Sequence, residues 1–141
     1  MYILDTNVIS ELFRGEPDRN VDLWLQAADL SSLFVTSISK AESLSGLAVM
    51  PEGRRKEALH LLMHDFFERK LQNPILPFGS REAEFFAEIV TERRKVGRPI
   101  GEFDAQIASI ARSSGFTVVT RNTRDFEHCG VELVNPWDHQ P

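Results

Sequence analysis

The run Tyr2-Ile3-Leu4 passes straight into Asp5-Thr6-Asn7 and then into Val8, Ile9, Leu12 and Phe13 at helical spacing. A short apolar strand that becomes a helix at once belongs to folds in which helices alternate with buried strands. The junction also delivers an acid, Asp5, to the carboxyl end of the strand. In an open α/β sheet that edge is where ligands sit. An aspartate there is either a helix cap or a catalytic carboxylate. The choice turns on whether other acids reach the same edge.

The alternation continues along the chain. Arg14-Gly15-Glu16-Pro17 ends the first helix, and a second is expected over about Asp18 to Ala28, with Val21, Trp24, Leu25 and Ala28 on one face. Leu33-Phe34-Val35-Thr36 reads as a buried strand, with Thr36 or Ser37 placed to cap a helix over about Ile38 to Met50. A long helix from about Glu52 to Gln72 would set Leu59, Leu62, Met63, Phe66, Phe67 and Leu71 on one broad face. Ile75-Leu76-Pro77-Phe78 reads as a short strand, followed by a helix from Glu82 to Lys95. After the loop Val96 to Gly101 comes a helix over Glu102 to Ser114, with Phe103, Ile107, Ile110 and Ala111 inward and Gly115 as its stop. Phe116 to Thr120 and Val131 to Val134 are the last strands, with Asn135-Pro136-Trp137 beyond. The fold class is therefore α/β, a mainly parallel central sheet with helices on both faces. No repeat or low-complexity linker divides the chain, so residues 1–141 are read as one domain.

The 141 residues suffice for a core, and 42% hydrophobic with 26% charged is the balance of a soluble globular protein. Sixteen Lys and Arg against 21 Asp and Glu leave a net charge of −5. That argues against a general phosphate-backbone binder, though not against a nuclease whose acids hold cations. The single cysteine, Cys129, can form no internal disulfide, and neither a signal segment nor a run near the ~18 apolar residues of a membrane span is present. These features point to the cytoplasm.

Four places bring acids toward one edge. Asp5 follows the first strand, Glu42 lies a turn into the helix after the second, and Asp104 starts the helix before Phe116 to Thr120. Asn122 and Asp125 lie just after that strand. Carboxylates gathered in one cleft repel each other unless cations intervene. Mg²⁺ or Mn²⁺ prefers such oxygen ligands and activates water for attack on phosphorus. Taken singly, each acid is more simply a cap or a solvated charge. Ser39-Lys40-Ala41-Glu42 has capping-box spacing, for example.

As a set, Leu4-Asp5-Thr6-Asn7-Val8-Ile9-Ser10-Glu11, Ala41-Glu42, Phe103-Asp104-Ala105-Gln106-Ile107-Ala108 and Thr120-Arg121-Asn122-Thr123-Arg124-Asp125-Phe126 resemble the PIN-domain family. Within it the chain is similar to VapC toxins of bacterial toxin–antitoxin pairs, particularly the FitB-like branch, which also tends to end in Asn-Pro-Trp. The resemblance implies a PIN-like fold and a ribonuclease dependent on Mg²⁺ or Mn²⁺. Asp5, Glu42 and Asp104 match the family's principal acids. The fourth acid's usual place falls at Asn122, a neutral amide, so Asp125 is an alternative source of charge. On this reading Asp5 and Asp104 are leading metal ligands, and Glu42 ligates directly or through water or helps deprotonate the nucleophile. Thr6, Thr120 and Asn122 are candidates to position phosphate or metal-bound water, against plainer roles for Thr6 and Asn7 as caps and Thr120 as a strand end. The resemblance further implies a homodimer and a cognate antitoxin whose basic side chain enters the acidic site, with operator DNA reached only through that antitoxin. The neutral Asn122 keeps open a second reading, a catalytically weak domain that mainly binds the antitoxin.

Arg121 and Arg124 flank the proposed site and are the better RNA contacts. Arg54-Arg55-Lys56, Arg93-Arg94-Lys95 and Arg98 are more simply solvated helix faces. His60 and His64 have a zinc-compatible spacing but no third ligand, and Trp24 and Trp137 read as packing residues. A haloacid-dehalogenase phosphatase would want a second aspartate where Asn7 stands, and no Gly-x-Gly-x-x-Gly follows the first strand to support a Rossmann site.

Overall fold

Successive strand residues face opposite sides of a sheet, and Ile3 and Leu4 are both buried. A strand apolar on both faces must lie between two layers. In the computed structural model, which describes all 141 residues, Leu4 joins a core with Val8, Ile9, Val21, Val35, Leu47, Met63 and Phe67. Ile3 joins a second core with Ile89, Ile107, Ile110, Val118 and Phe126. Helices therefore cover both faces.

The chain runs β1 (Tyr2–Leu4), α1 (Thr6–Leu12), α2 (Arg19–Ala27), β2 (Leu33–Phe34), α3 (Ser37–Ala48), α4 (Arg54–Asp65), α5 (Ser80–Lys95), α6 (Glu102–Ser114), β3 (Thr117–Val119), α7 (Thr123–Phe126) and β4 (Leu133–Val134). All strand pairs are parallel, in the order β2-β1-β3-β4. The chain leaves β1 toward one side for β2 and returns on the other as β3, so the topological switch lies between β1 and β3. Their register pairs Leu4 with Val119, which brings Asp5 and Thr120 out side by side at that switch. No helix is long and apolar enough to cross a membrane.

Three expectations need correction. The strand expected at 75–78 is reduced to one parallel bridge between Leu76 and Thr36. Pro74 and Pro77 flank Leu76, and a proline has no N–H with which to continue a ladder. The helix expected over 52–72 starts at Arg54 and changes at Phe66 to a π turn ending at Lys70, closed by Leu71 N donating to Phe66 O at 3.3 Å. The wider turn presents adjacent aromatics inward: Phe66 packs edge-on against Phe13 and Phe67 is buried. Phe103, read as inward, is 56% exposed, because Gly101, Glu102 and Phe103 form an exposed first turn ahead of the buried stretch from Ala105.

Candidate active site

The buried Asp5 is both a cap and an oriented acid. Its Oδ1 accepts from Thr6 N at 2.8 Å at the start of α1. Its Oδ2 accepts from Thr120 Oγ1 at 2.8 Å and from Asn7 Nδ2 at 3.0 Å. Asn7 Nδ2 also donates to Thr120 Oγ1 at 3.2 Å, while Asn7 Oδ1 accepts from Arg121 N at 3.3 Å. Burial raises the Asp5 carboxyl above its ordinary value, opposed by its hydrogen bonds and reinforced by the charge of Asp125.

Glu42 lies one turn into α3, whose N-cap is Thr36 accepting from Ser39 N at 3.1 Å. The capping-box role for Ser39 and Glu42 thus gives way. The hydroxyl of Thr6 donates to Glu42 Oε1 at 2.9 Å and lies 3.0 Å from Ser39 Oγ. This couples α1 to α3 and fixes one oxygen of the glutamate. Burial raises the Glu42 carboxyl, and Asp5 adds a like charge.

Asp104 stands in the first turn of α6. Burial pushes it up to about 6, with the charges of Asp5, Asp125 and Glu42 adding and Arg93 opposing. Asp104 therefore feels the other three acids, although the four come from four separate segments. Asp125, on α7, is exposed. Asn122 precedes α7 without a side-chain cap bond, and its backbone N–H donates to Thr120 Oγ1 at 3.0 Å. Of the two candidates for the fourth position, Asp125 carries the charge that Asp5 and Asp104 register.

Among the residues assigned to substrate, Thr120 is fully buried and its hydroxyl serves Asp5. Its oxygen also accepts from Asn7 Nδ2 and Asn122 N, so the side chain holds the acid in place. Thr6 likewise holds Glu42. Arg121 and Arg124 are exposed, and the Arg121 guanidinium lies 5.2 Å from the Trp137 ring centroid. His60 and His64 are exposed, as read. Arg93 was missed: it is 4% exposed, not part of a solvated basic face. Nothing in its spacing marks it, because its partners are backbone carbonyls.

Residues 2–131 match the PIN domain family model. The chain belongs to the PIN domain family. Among its relatives is the VapC ribonuclease Y4jK of Sinorhizobium fredii, 38% identical over 138 residues, covering 98% of this chain and 99% of that one. Toxin FitB of Neisseria gonorrhoeae is 34% identical over 137 residues, covering 97% and 99%. A solved structure of FitAB bound to an IR36 DNA fragment contains a chain that superposes with a TM-score of 0.92 at 34% identity, covering 100% of this chain and 99% of that one. The PIN fold and family read from the sequence are thereby shown.

No three His, Cys, Asp or Glu side chains of this PIN domain form a preassembled metal-holding group. The donor set is nonetheless the right one for a hard divalent cation: several carboxylates, no thiolate or imidazole, and like charges that raise each other's pKa values.

Proposed function

We propose that this PIN domain is the toxin of a toxin–antitoxin pair, an endoribonuclease that hydrolyses RNA phosphodiesters with Mg²⁺ or Mn²⁺. The observation that carries this is the meeting of Asp5 and Glu42 on Thr6 at the sheet's switch point, with Asp104 near enough to be pushed up by their charges. Uncompensated, that arrangement is costly, and fixed carboxylates of this kind are what a hydrolytic cation site needs. When bound, the cation lowers the pKa of an attacking water and offsets charge at the phosphate.

Asp5, Asp104 and Glu42 would hold it, with Asp125 at the outer edge. Asp5 is locked by Thr6, Thr120 and Asn7, which fix the orientation of its carboxylate. Glu42 has one oxygen committed to Thr6, which leaves the other to bind or to accept a proton from water. Arg121 and Arg124 offer exposed cations to the phosphates on either side. The names of its relatives, a VapC ribonuclease and toxin FitB, support the same activity, and the FitAB–DNA complex supports a cognate antitoxin as partner, with DNA met through it; a cytoplasmic homodimer is part of the same proposal. The weak-nuclease alternative rested on the neutral Asn122, and the charge of Asp125 weakens it.

Purified protein freed of its antitoxin should cleave RNA with Mg²⁺ or Mn²⁺ and stop with EDTA. Partners of metal ligands are worth about 10- to 100-fold, so removing a ligand in Asp5→Asn or Asp104→Asn should cost more than about a hundredfold. Cleavage surviving in both variants would overturn the assignment.

A further inference from the structure

Arg93, near the end of α5, is buried with no carboxylate at ion-pair distance. A buried charge without a countercharge is costly unless hydrogen bonds satisfy it. Here every one of its bonds goes to main chain. Arg93 Nε donates to Arg98 O at 2.5 Å, and Nη1 donates to Asp125 O at 2.9 Å and to Glu127 O at 2.7 Å. The carbonyl of Arg98 belongs to the loop that leads into α6 and Asp104, whereas those of Asp125 and Glu127 belong to α7 and its end. One planar side chain thus ties together the two segments that carry the outer acids.

Arg98 reinforces the tie. Its Nη2 donates to Arg124 O at 2.9 Å and its Nη1 pairs with the Glu127 carboxylate. The segment needs such support, since α7 has four residues and no side-chain N-cap. A helix that short has no stability of its own. The Asp125 side chain is exposed and makes no hydrogen bond, so where it sits depends on how its backbone is held.

We propose that Arg93, assisted by Arg98, is a positioning residue that sets Asp125 against Asp104 and thereby completes the outer half of the acid cluster. The inference rests on the nuclease reading for its consequence, but the clamp itself is measurable without activity. Lysine keeps the charge and loses the forked geometry, so Arg93→Lys isolates the clamp.

In metal-free protein, hydrogen exchange at amides 122–128 should speed up in Arg93→Lys while the β1 and β3 amides keep their protection. In Mn²⁺ titrations followed by electron paramagnetic resonance, Arg93→Lys and Asp125→Asn should each weaken binding about tenfold, and the double variant no further. Cleavage should lose about tenfold or more in kcat with KM for RNA within about twofold.

Unchanged exchange at 122–128, or losses that multiply in the double variant, would overturn the clamp. So would a rise in KM alone, which would make Arg93 an RNA contact. Should Arg93→Lys not fold, Arg98→Ala is expected to give the same pattern at smaller size, and its absence there overturns the proposal equally. If wild-type protein cleaves no RNA while exchange and Mn²⁺ binding respond as described, the nuclease reading fails and the clamp stands.

Discussion

At the scale of single residues, Asp5 shows why cap and catalytic acid are not competing roles. One carboxylate oxygen caps α1, and the other is held by Thr120 and Asn7. Spacing puts Asp5, Glu42 and Asp104 at one sheet edge, and the family resemblance, rather than spacing, singles them out as a set. Neither reveals that Thr120 is buried beneath Asp5 or that Arg93 is buried at all. Thr120→Val removes a hydrogen bond that lowers the Asp5 pKa while keeping the side-chain shape. The acid limb of the kcat–pH profile should therefore move to higher pH, and an unshifted limb would refute this role. For Asp104, the folded pKa of about 6 lies above its ordinary 3.8, so ionising it costs stability. That cost is fully present above about pH 6 and fades as pH falls through the folded value toward the unfolded one. Metal-free Asp104→Asn should accordingly melt at higher temperature than wild type at pH 8, with the gap roughly halved at pH 5 and closed below about pH 4 in a calorimetric series.

At the scale of elements, helix positions were readable because periodicity and caps agree along most of them. Gly115 is the clearest case: it closes α6 with φ 70°, the left-handed geometry expected of a stop. A Cβ there would meet nothing within 4 Å, so Gly115→Ala should cost only the conformational penalty, about 1 kcal/mol by urea denaturation. The readings failed where local pattern and chain geometry part. Ile75-Leu76-Pro77-Phe78 has strand composition, but its prolines leave room for one bridge. The π turn at Phe66 inserts a residue that no 3.6-residue period can show.

At the scale of the whole molecule, the two cores lie on opposite faces of the sheet, and β1 contributes to both. The doubly covered parallel sheet was legible from the alternation of strands and helices. The coupling of the acids was not, since charge interactions depend on distances that topology alone does not set. Their mutual repulsion gives a test of the entire cluster. Mn²⁺ should raise Tm, and by more at pH 8 than at pH 5, because at the lower pH protons already relieve the repulsion. Equal shifts at both pH values would mean that the cation binds elsewhere.

The four acids sit at positions 5, 42, 104 and 125, almost the full span of the chain. A ribosome making this chain completes the set only with residue 125, after β3 has been made to pair with β1. No fragment that stops short of residue 125 holds all four acids, so a partly made chain lacks one wall of the proposed cation site.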